Sequence, residues 1–488
     1  MSESAKQSFM NNKLFWEIVV LLIQFVAVYL PPFGQMTTLG MHILFILIGT
    51  IIGWVFIDLG WPSVSGIIAL GISGAYESMG DALAACLGSQ TQWMVFGALL
   101  ICAFVAESGL ADVIAGFLLN LKISRKSPFI MSFFFFIGAY VVAAVSACQI
   151  AVLLFIGLYR GIAEKAGVKA GDLINSYWLC GLALCSVFGE MFPPYKISMI
   201  ILLNIYNSAV IAPLSALQGI LWCIGGSLIL TLVYILFCKV VLRIDLSRFD
   251  PNVLQIKKVS PSKEQKTMLW YILAMVILLV VPSIFSTSTF PLFISMNYLG
   301  FGGLMLILVV VMMTIPVNGK PLLDMTTMGK GFSWGVFWMA AFYTTISGFI
   351  SKPEVGISAT LSSWFAPLLQ VLPAVVFVIL AIYLSMILSN FLNNMVVALV
   401  FISAIMALSS SIEGINLAAA TMAIYLGSNC AIGMPSANPV NAITFSNTDL
   451  ISFKNQSKLG WITGFIMATV SVVLYFIMAI FFNMVGLV

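Results

Sequence analysis

Apolar runs of about 20 residues, the length of a helix that crosses a bilayer, recur along this chain between short polar joints. The pattern predicts helices near 14–31, 38–57, 62–76, 92–108, 173–210, 217–241, 268–287, 297–315, 333–350, 416–447 and 459–487. Two further apolar stretches, 127–161 and 368–409, are too long for one crossing. They read as re-entrant hairpins that enter and leave on the same side. The expected fold is an all-α polytopic membrane protein with about 11 transmembrane helices plus the two hairpins.

Two of the predicted helices are interrupted. One break is Gly189-Glu190-Met191-Phe192-Pro193-Pro194-Tyr195-Lys196, and the other is Gly433-Met434-Pro435-Ser436-Ala437-Asn438-Pro439-Val440-Asn441. Proline removes a backbone donor and ends helical hydrogen bonding. Broken helices in corresponding halves of a membrane chain point to a transport site. Lys196 is the one basic residue among 21 that falls deep in a predicted span. Burying an ionisable group is costly, so its place there suggests a function.

The composition narrows the class. The chain has 488 residues, of which 61% are hydrophobic and 8% charged, whereas a soluble domain carries about 25% charged residues. A net charge of +4 spread over many short loops gives no nucleic-acid signal; membrane lipid is the expected surround. The run Leu14–Leu30 ends at Pro31-Pro32 without a small-residue cleavage site, so a retained helix is expected there. Cys86, Cys102, Cys148, Cys180, Cys185, Cys223, Cys238 and Cys430 lie in or beside apolar stretches, with no CxxC spacing and no His partner. Neither disulfides nor a metal site are expected. His42, the only histidine, reads as a packed side chain. Scattered acids and one His form no catalytic cluster, so no enzyme is expected.

Charge sets the expected orientation. With the N-terminus inside and two hairpins, 19 of 21 basic residues face the cytoplasm, Lys352 faces out and Lys196 is mid-membrane. If either long stretch crossed once, every later loop would flip and the asymmetry would collapse. The expectation is a multi-pass protein of the inner (plasma) membrane with its C-terminus outside.

Three pairs recur at nearly one offset. Gln92-Trp93-Met94-Val95 returns loosely as Phe337-Trp338-Met339-Ala340 after 245 positions, Ser146 and Ser389 are 243 apart, and Pro193 and Pro439 are 246 apart. This divides the chain into an N-terminal helix (1–37), a first repeat (38–241), a cytoplasmic linker (242–267) and a second repeat (268–488). An odd number of spans in each repeat inverts their topologies. The polar segments 109–126 and 351–367 read either as interfacial helices or as surface loops.

The candidate chemistry lies at the hairpin turns and the breaks. The second hairpin turns at Ser385–Asn394, and the first at Val145-Ser146-Ala147-Cys148-Gln149. Irregular backbone is tolerated at this depth where it lines a cavity or is buried in protein. Ser146, Ser389, Asn390, Asn438 and Pro439, with Lys196, are the candidate substrate-binding residues; Glu190, Asn393, Asn394 and Asn441 are the candidates for ion coupling. Interhelical hydrogen bonding is the competing reading of the Ser and Asn residues. Lys196 either neutralises an anion or stands where a coupling cation would bind, and Glu190 is either a proton carrier or the partner of Lys196. Ser436 and Ser428-Asn429-Cys430 are further wall candidates, while Ser446-Asn447-Thr448 reads as a helix cap.

These features resemble the divalent-anion/sodium symporter family of the ion-transporter superfamily. Ser389-Asn390-Phe391 keeps two residues of that family's Ser-Asn-Thr hairpin tip, and Ser146-Ala147-Cys148 keeps the serine. Ala437-Asn438-Pro439-Val440-Asn441 is similar to its second broken helix, while Met191-Phe192-Pro193-Pro194-Tyr195 keeps the prolines of the first. The resemblance implies transport of di- or tricarboxylates by a homodimer with an elevator movement. The moving domain would comprise the hairpins, the broken helices and spans 217–241 and 459–487. No cofactor is implied beyond a coupling sodium ion or proton. The weakened first tip beside Lys196 favours an exchanger or a proton-coupled carrier. A cation/proton antiporter using Glu190 is the alternative.

Overall fold

The computed structural model describes residues 13–193, 196–210, 213–249, 260–285, 289–323, 332–350, 352–357, 359–360, 363, 373–408 and 414–484, without the side chains of 102–107 and a few single positions. Helices dominate. The first half contains α1 (Lys13–Phe25), α2 (Thr38–Phe56), α3 (Trp61–Ile72), α4 (Met79–Leu87), α5 (Gln90–Glu107), α6 (Leu110–Leu119), α7 (Pro128–Val145), α8 (Cys148–Lys165), α9 (Leu173–Met191), α10 (Ile197–Ala209) and α11 (Ala216–Val240). The second contains α12 (Lys263–Ile284), α13 (Pro291–Thr314), a strand pair β1 (Pro316–Val317) and β2 (Lys320–Pro321), then α14 (Trp334–Ile350), α15 (Ala374–Ser389), α16 (Asn394–Leu408), α17 (Leu417–Ser428), α18 (Pro439–Ser446) and α19 (Phe453–Met484).

Six helices are long and apolar enough to cross a bilayer alone, and α4 with α5, bent by 54°, would make a seventh span. The chain is a multi-pass membrane protein. The count among the described residues is below the expected eleven because proline- and asparagine-rich joints cut several apolar stretches into helices of 8–17 residues, such as α15 to α18.

Both long stretches fold back on themselves. α7 stops at Val145 and α8 starts at Cys148; α15 stops at Ser389 and α16 starts at Asn394. Each pair packs side by side. The other two breaks also fall in the interrupted segments, with α9 ending at Met191 ahead of Pro193 and α10 starting at Ile197. Phe192 is still in the right-handed region, but Pro193 has no N–H to donate to the Gly189 carbonyl, which ends α9 there. Pro194 and Tyr195 lie outside the described residues. α18 starts with Pro439 at its first position, where the missing N–H costs nothing. α9 packs on α7 and α19, α8 on α18, and α10 on α14 and α16, so the breaks of both halves are drawn together.

Close packing fixes these breaks in depth. A Cβ on Gly189 would lie 2.1 Å from the Tyr140 carbonyl oxygen, and one on Gly460 would lie 2.2 Å from that of Ile432. Small residues let membrane helices approach closely. α9 is buried on every side from Asn175 to Gly189. Its Tyr177 stacks on Tyr234 at 5.7 Å and shares a 2.6 Å hydrogen bond with Ser132.

Two elements differ from the pattern-based expectation. α4 was not foreseen, because nine residues carrying Asp81 match no span template; Ser78 caps it by accepting from Asp81 N. The all-α expectation missed the short β hairpin, whose turn Asn318-Gly319 has φ of 53° and 80°, the left-handed pair that tight hairpins select. The polar segment 109–126 contains a true helix, α6, followed by a 3-10 turn at Lys122–Arg125. Its counterpart at 351–367 lies largely outside the described residues.

Candidate functional site

A cavity of about 310 Å³ lies where the two hairpin turns meet the two breaks. Its wall includes Ser146, Ala147, Cys148 and Gln149 from the first turn, and Asn393, Asn394 and Met395 from the second. Glu190, Met191 and Ser198 come from the first break, and Asn438 with Pro439 from the other. The opposite side is apolar, formed by Leu59, Leu99, Val336 and Met339 beside Ser333. Four helices, α8, α10, α16 and α18, therefore present their N-terminal residues to one space. Each N-terminus carries partial positive charge and unsatisfied N–H groups, which favour an anion.

The first turn is held by an ion pair. Lys196 Nζ donates to the Ser146 carbonyl oxygen at 2.5 Å and to Glu190 Oε2 at 3.3 Å. Glu190 Oε2 also accepts from Cys148 N at 3.1 Å. The charges match the helix ends they meet: the ammonium lies at the C-terminal end of α7, and the carboxylate at the N-terminus of α8. Lys196 is also the N-cap residue of α10, a poor place for a cation unless an anion compensates it. The Lys196 side chain is 4% exposed and that of Glu190 is 31% exposed. Glu190 thus faces the cavity, and Lys196 stands behind it.

The second turn is held by neutral groups. Asn390 Oδ1 accepts from Gly433 N at 2.8 Å, and the Asn390 carbonyl accepts from Ser436 Oγ at 2.7 Å. Asn394, turned with its amide nitrogen toward them, donates to the carbonyls of Ser389 (3.3 Å) and Ala437 (3.0 Å). Asn441 donates to the carbonyls of Ala431 and Met434. Asn438 occupies in α18 the N-cap position that Lys196 occupies in α10. Its Oδ1 accepts from Asn441 N at 2.9 Å, and Asn393 Oδ1 likewise accepts from Met395 N at 3.0 Å at the start of α16. An oxygen committed to capping turns the amide nitrogen outward. Asn438 Nδ2 is buried with no partner among the described residues.

The ten candidates fall into two sets. Ser146, Glu190, Asn393, Asn394, Asn438 and Pro439 line the cavity, whereas Lys196, Ser389, Asn390 and Asn441 lie behind that wall. Behind it, Ser389 Oγ, Asn429 Oδ1 and Asn441 Oδ1 are buried and make no hydrogen bond within the described residues. Ser428 and Cys430 are also fully buried. Ser436 lines a neighbouring cavity of about 330 Å³ that shares Asn393, Asn438 and Pro439 with the first. Pattern reasoning placed Gln149 in the first turn without giving it a role, and missed Ser198 and the apolar wall. Nothing in sequence distinguishes Leu99 or Met339 from any lipid-facing residue.

At one end of the bundle Arg160 of α8 ion-pairs with Asp449 and donates to Asn447 Oδ1 at 2.7 Å. The Arg160 guanidinium holds the Asp449 carboxyl below its ordinary value. Ser446 closes α18 by donating to the Ile443 carbonyl at 2.8 Å and is exposed.

No family model matches the chain, and no curated protein matches its sequence. A solved structure that the chain partly resembles is the YdaH transporter of Alcanivorax borkumensis, described as having an unusual topology. It is 16% identical and aligns over 95% of this chain and 97% of its own, with a TM-score of 0.49. That likeness carries no argument about function. The resemblance to the divalent-anion/sodium symporters rests on the residues quoted above.

Proposed function

We propose that this protein is a secondary active transporter of small organic anions, di- or tricarboxylates in the first instance, and a distant member of the divalent-anion/sodium symporter family. The observation that carries this reading is the convergence of four half-helix N-termini on one cavity between two hairpin turns and two breaks. Its volume is at the lower end of the range for small-molecule sites. On this reading the chain has eleven spans and two re-entrant hairpins in an inverted repeat, with boundaries at 37, 241 and 267. It works as a homodimer in the plasma membrane, N-terminus inside and C-terminus outside. The moving domain carries the anion past a fixed scaffold of the remaining spans, to which the apolar wall of Leu59, Leu99, Val336 and Met339 belongs. Each state needs compensated charge, because an unpaired ion is expensive in the barrier.

The two turns differ in how they meet that need. The Lys196 ammonium supplies a fixed cation at the first. At the second, the side-chain oxygens of Ser389, Asn429 and Asn441 have no hydrogen-bond partner among the described residues, which suits a sodium ion or a proton donor. This supports exchange, or coupling to a single kind of cation. No enzymatic step and no further cofactor is proposed.

The test is uptake of labelled succinate by purified protein in sodium-free proteoliposomes, with and without succinate inside. Uptake that needs preloading identifies an exchanger. Uptake driven by a sodium or proton gradient identifies a symporter. Absence of uptake under every gradient defeats the reading for this substrate class. Exposure of Glu190 to the cavity favours one competitor, cation/proton antiport. That requires exchange without any organic anion, abolished by Glu190→Gln.

A further inference from the structure

The cavity is not uniformly anion-seeking. On the side of the second half, Asn393 and Asn438 commit their oxygens to the caps of α16 and α18. Their amide nitrogens and the two N-termini form a donor edge. On the side of the first half, the N-terminus of α8 is already occupied, because Glu190 Oε2 accepts from Cys148 N and from Lys196 Nζ. The second Glu190 oxygen is given no hydrogen bond by the described residues, and the side chain is 31% exposed to the cavity. This edge therefore presents a hydrogen-bond acceptor, and an anionic one.

From this we infer that Glu190 is a specificity-determining residue and that the transported carboxylate also carries a protonated amine. The ligand's carboxylate lies at the Asn393–Asn438 edge, and its ammonium donates to Glu190. A bare second carboxylate at the same place would face like charge and would leave the acceptor unpaired, which is how a polar site rejects an analogue lacking the matching group. The inference rests on the transport reading above and names its substrate class.

The experiment compares three acids of one carbon skeleton, aspartate, malate and succinate, as competitors and as labelled substrates in proteoliposomes under the same gradients. Aspartate is expected to compete at least about tenfold better than succinate, with malate between them. In Glu190→Gln the preference should fall by about the same factor, since a neutral amide offers the ammonium a hydrogen bond without the opposite charge. If that variant does not fold, Glu190→Gln with Lys196→Met removes both charges together, and the wild-type ranking stands by itself. Succinate equal to or better than aspartate in the wild type, or an unchanged preference in a folded variant, overturns the inference while leaving anion transport intact. No competition or uptake by any of the three defeats both.

Discussion

Replacing Glu190 by Gln removes the negative charge beside the buried Lys196 ammonium, which keeps its hydrogen bond to the Ser146 carbonyl. Breaking a buried ion pair from one side costs about 3–5 kcal/mol, because the surviving charge loses its compensation. The lower figure applies here, since the Gln oxygen still accepts a hydrogen bond. Replacing Lys196 by Met is milder. Glu190 keeps the Cys148 N–H and is exposed to the cavity, so water can take the place of the ammonium, and a cost of about 1–2 kcal/mol follows. The double variant leaves no stranded charge. Its cost should be near about 2 kcal/mol, below the sum of the single changes, which gives a coupling energy of about 2–3 kcal/mol. The measurement is a double-mutant cycle from denaturant titrations in detergent micelles, followed by tryptophan fluorescence. Single variants within about 0.5 kcal/mol of wild type, or strict additivity, would refute the view that this pair holds the first turn.

Four further outcomes are expected. Asn438→Asp keeps an oxygen for the Asn441 N–H but removes the outward amide, so stability should hold while labelled-anion uptake falls at least about tenfold; Asn438→Ala should also cost about 1 kcal/mol as a lost cap. Gly189→Ala pushes a methyl group into the Tyr140 carbonyl at 2.1 Å and should lower the unfolding midpoint by more than any surface change, read by the same titration. Ser446→Ala removes an exposed hydrogen bond to Ile443 and should leave uptake and stability within error. The Asp449 carboxyl is held low by Arg160, so the stability it adds is present above about pH 4, the ordinary aspartate value. It is lost as pH falls through the lowered value, and Asp449→Asn should flatten that acid limb, by an amount kept small by exposure.

Much of the architecture was legible because the bilayer punishes irregular backbone. The turns at Ser146 and Ser389–Asn393 lie inside apolar stretches too long to cross once, and proline with asparagine marked the remaining breaks. Element ends were less legible. α13 starts at Pro291 rather than near 297, with a left-handed Gly300 inside it, and nothing in an apolar run says where such a kink falls. Within the site, residue type was legible and direction was not. Asn390 and Asn394 have the same side chain and both bond to the second break, yet only Asn394 lines the cavity. That difference comes from which backbone groups the turn leaves unpaired, which is decided by packing between elements far apart in sequence.

The same bookkeeping of backbone groups explains why the two halves are chemically unequal despite their matching order of breaks. In the first, each exposed helix end has an internal partner of the right sign: Lys196 for the end of α7, Glu190 for the start of α8. The helix ends at that turn are satisfied without a ligand. In the second, asparagines satisfy backbone groups with one end of each amide, leaving the other ends of Asn438 and Asn441 unmatched, together with Ser389 Oγ and Asn429 Oδ1. Buried polar atoms without partners are destabilising until something binds them. The second turn therefore gains more from a bound solute than the first. A ligand or cation that protects the protein should do so mainly by protecting residues 389–394 and 429–441 from amide exchange. Equal protection of 145–149 would mean that the first turn, too, is completed only by binding.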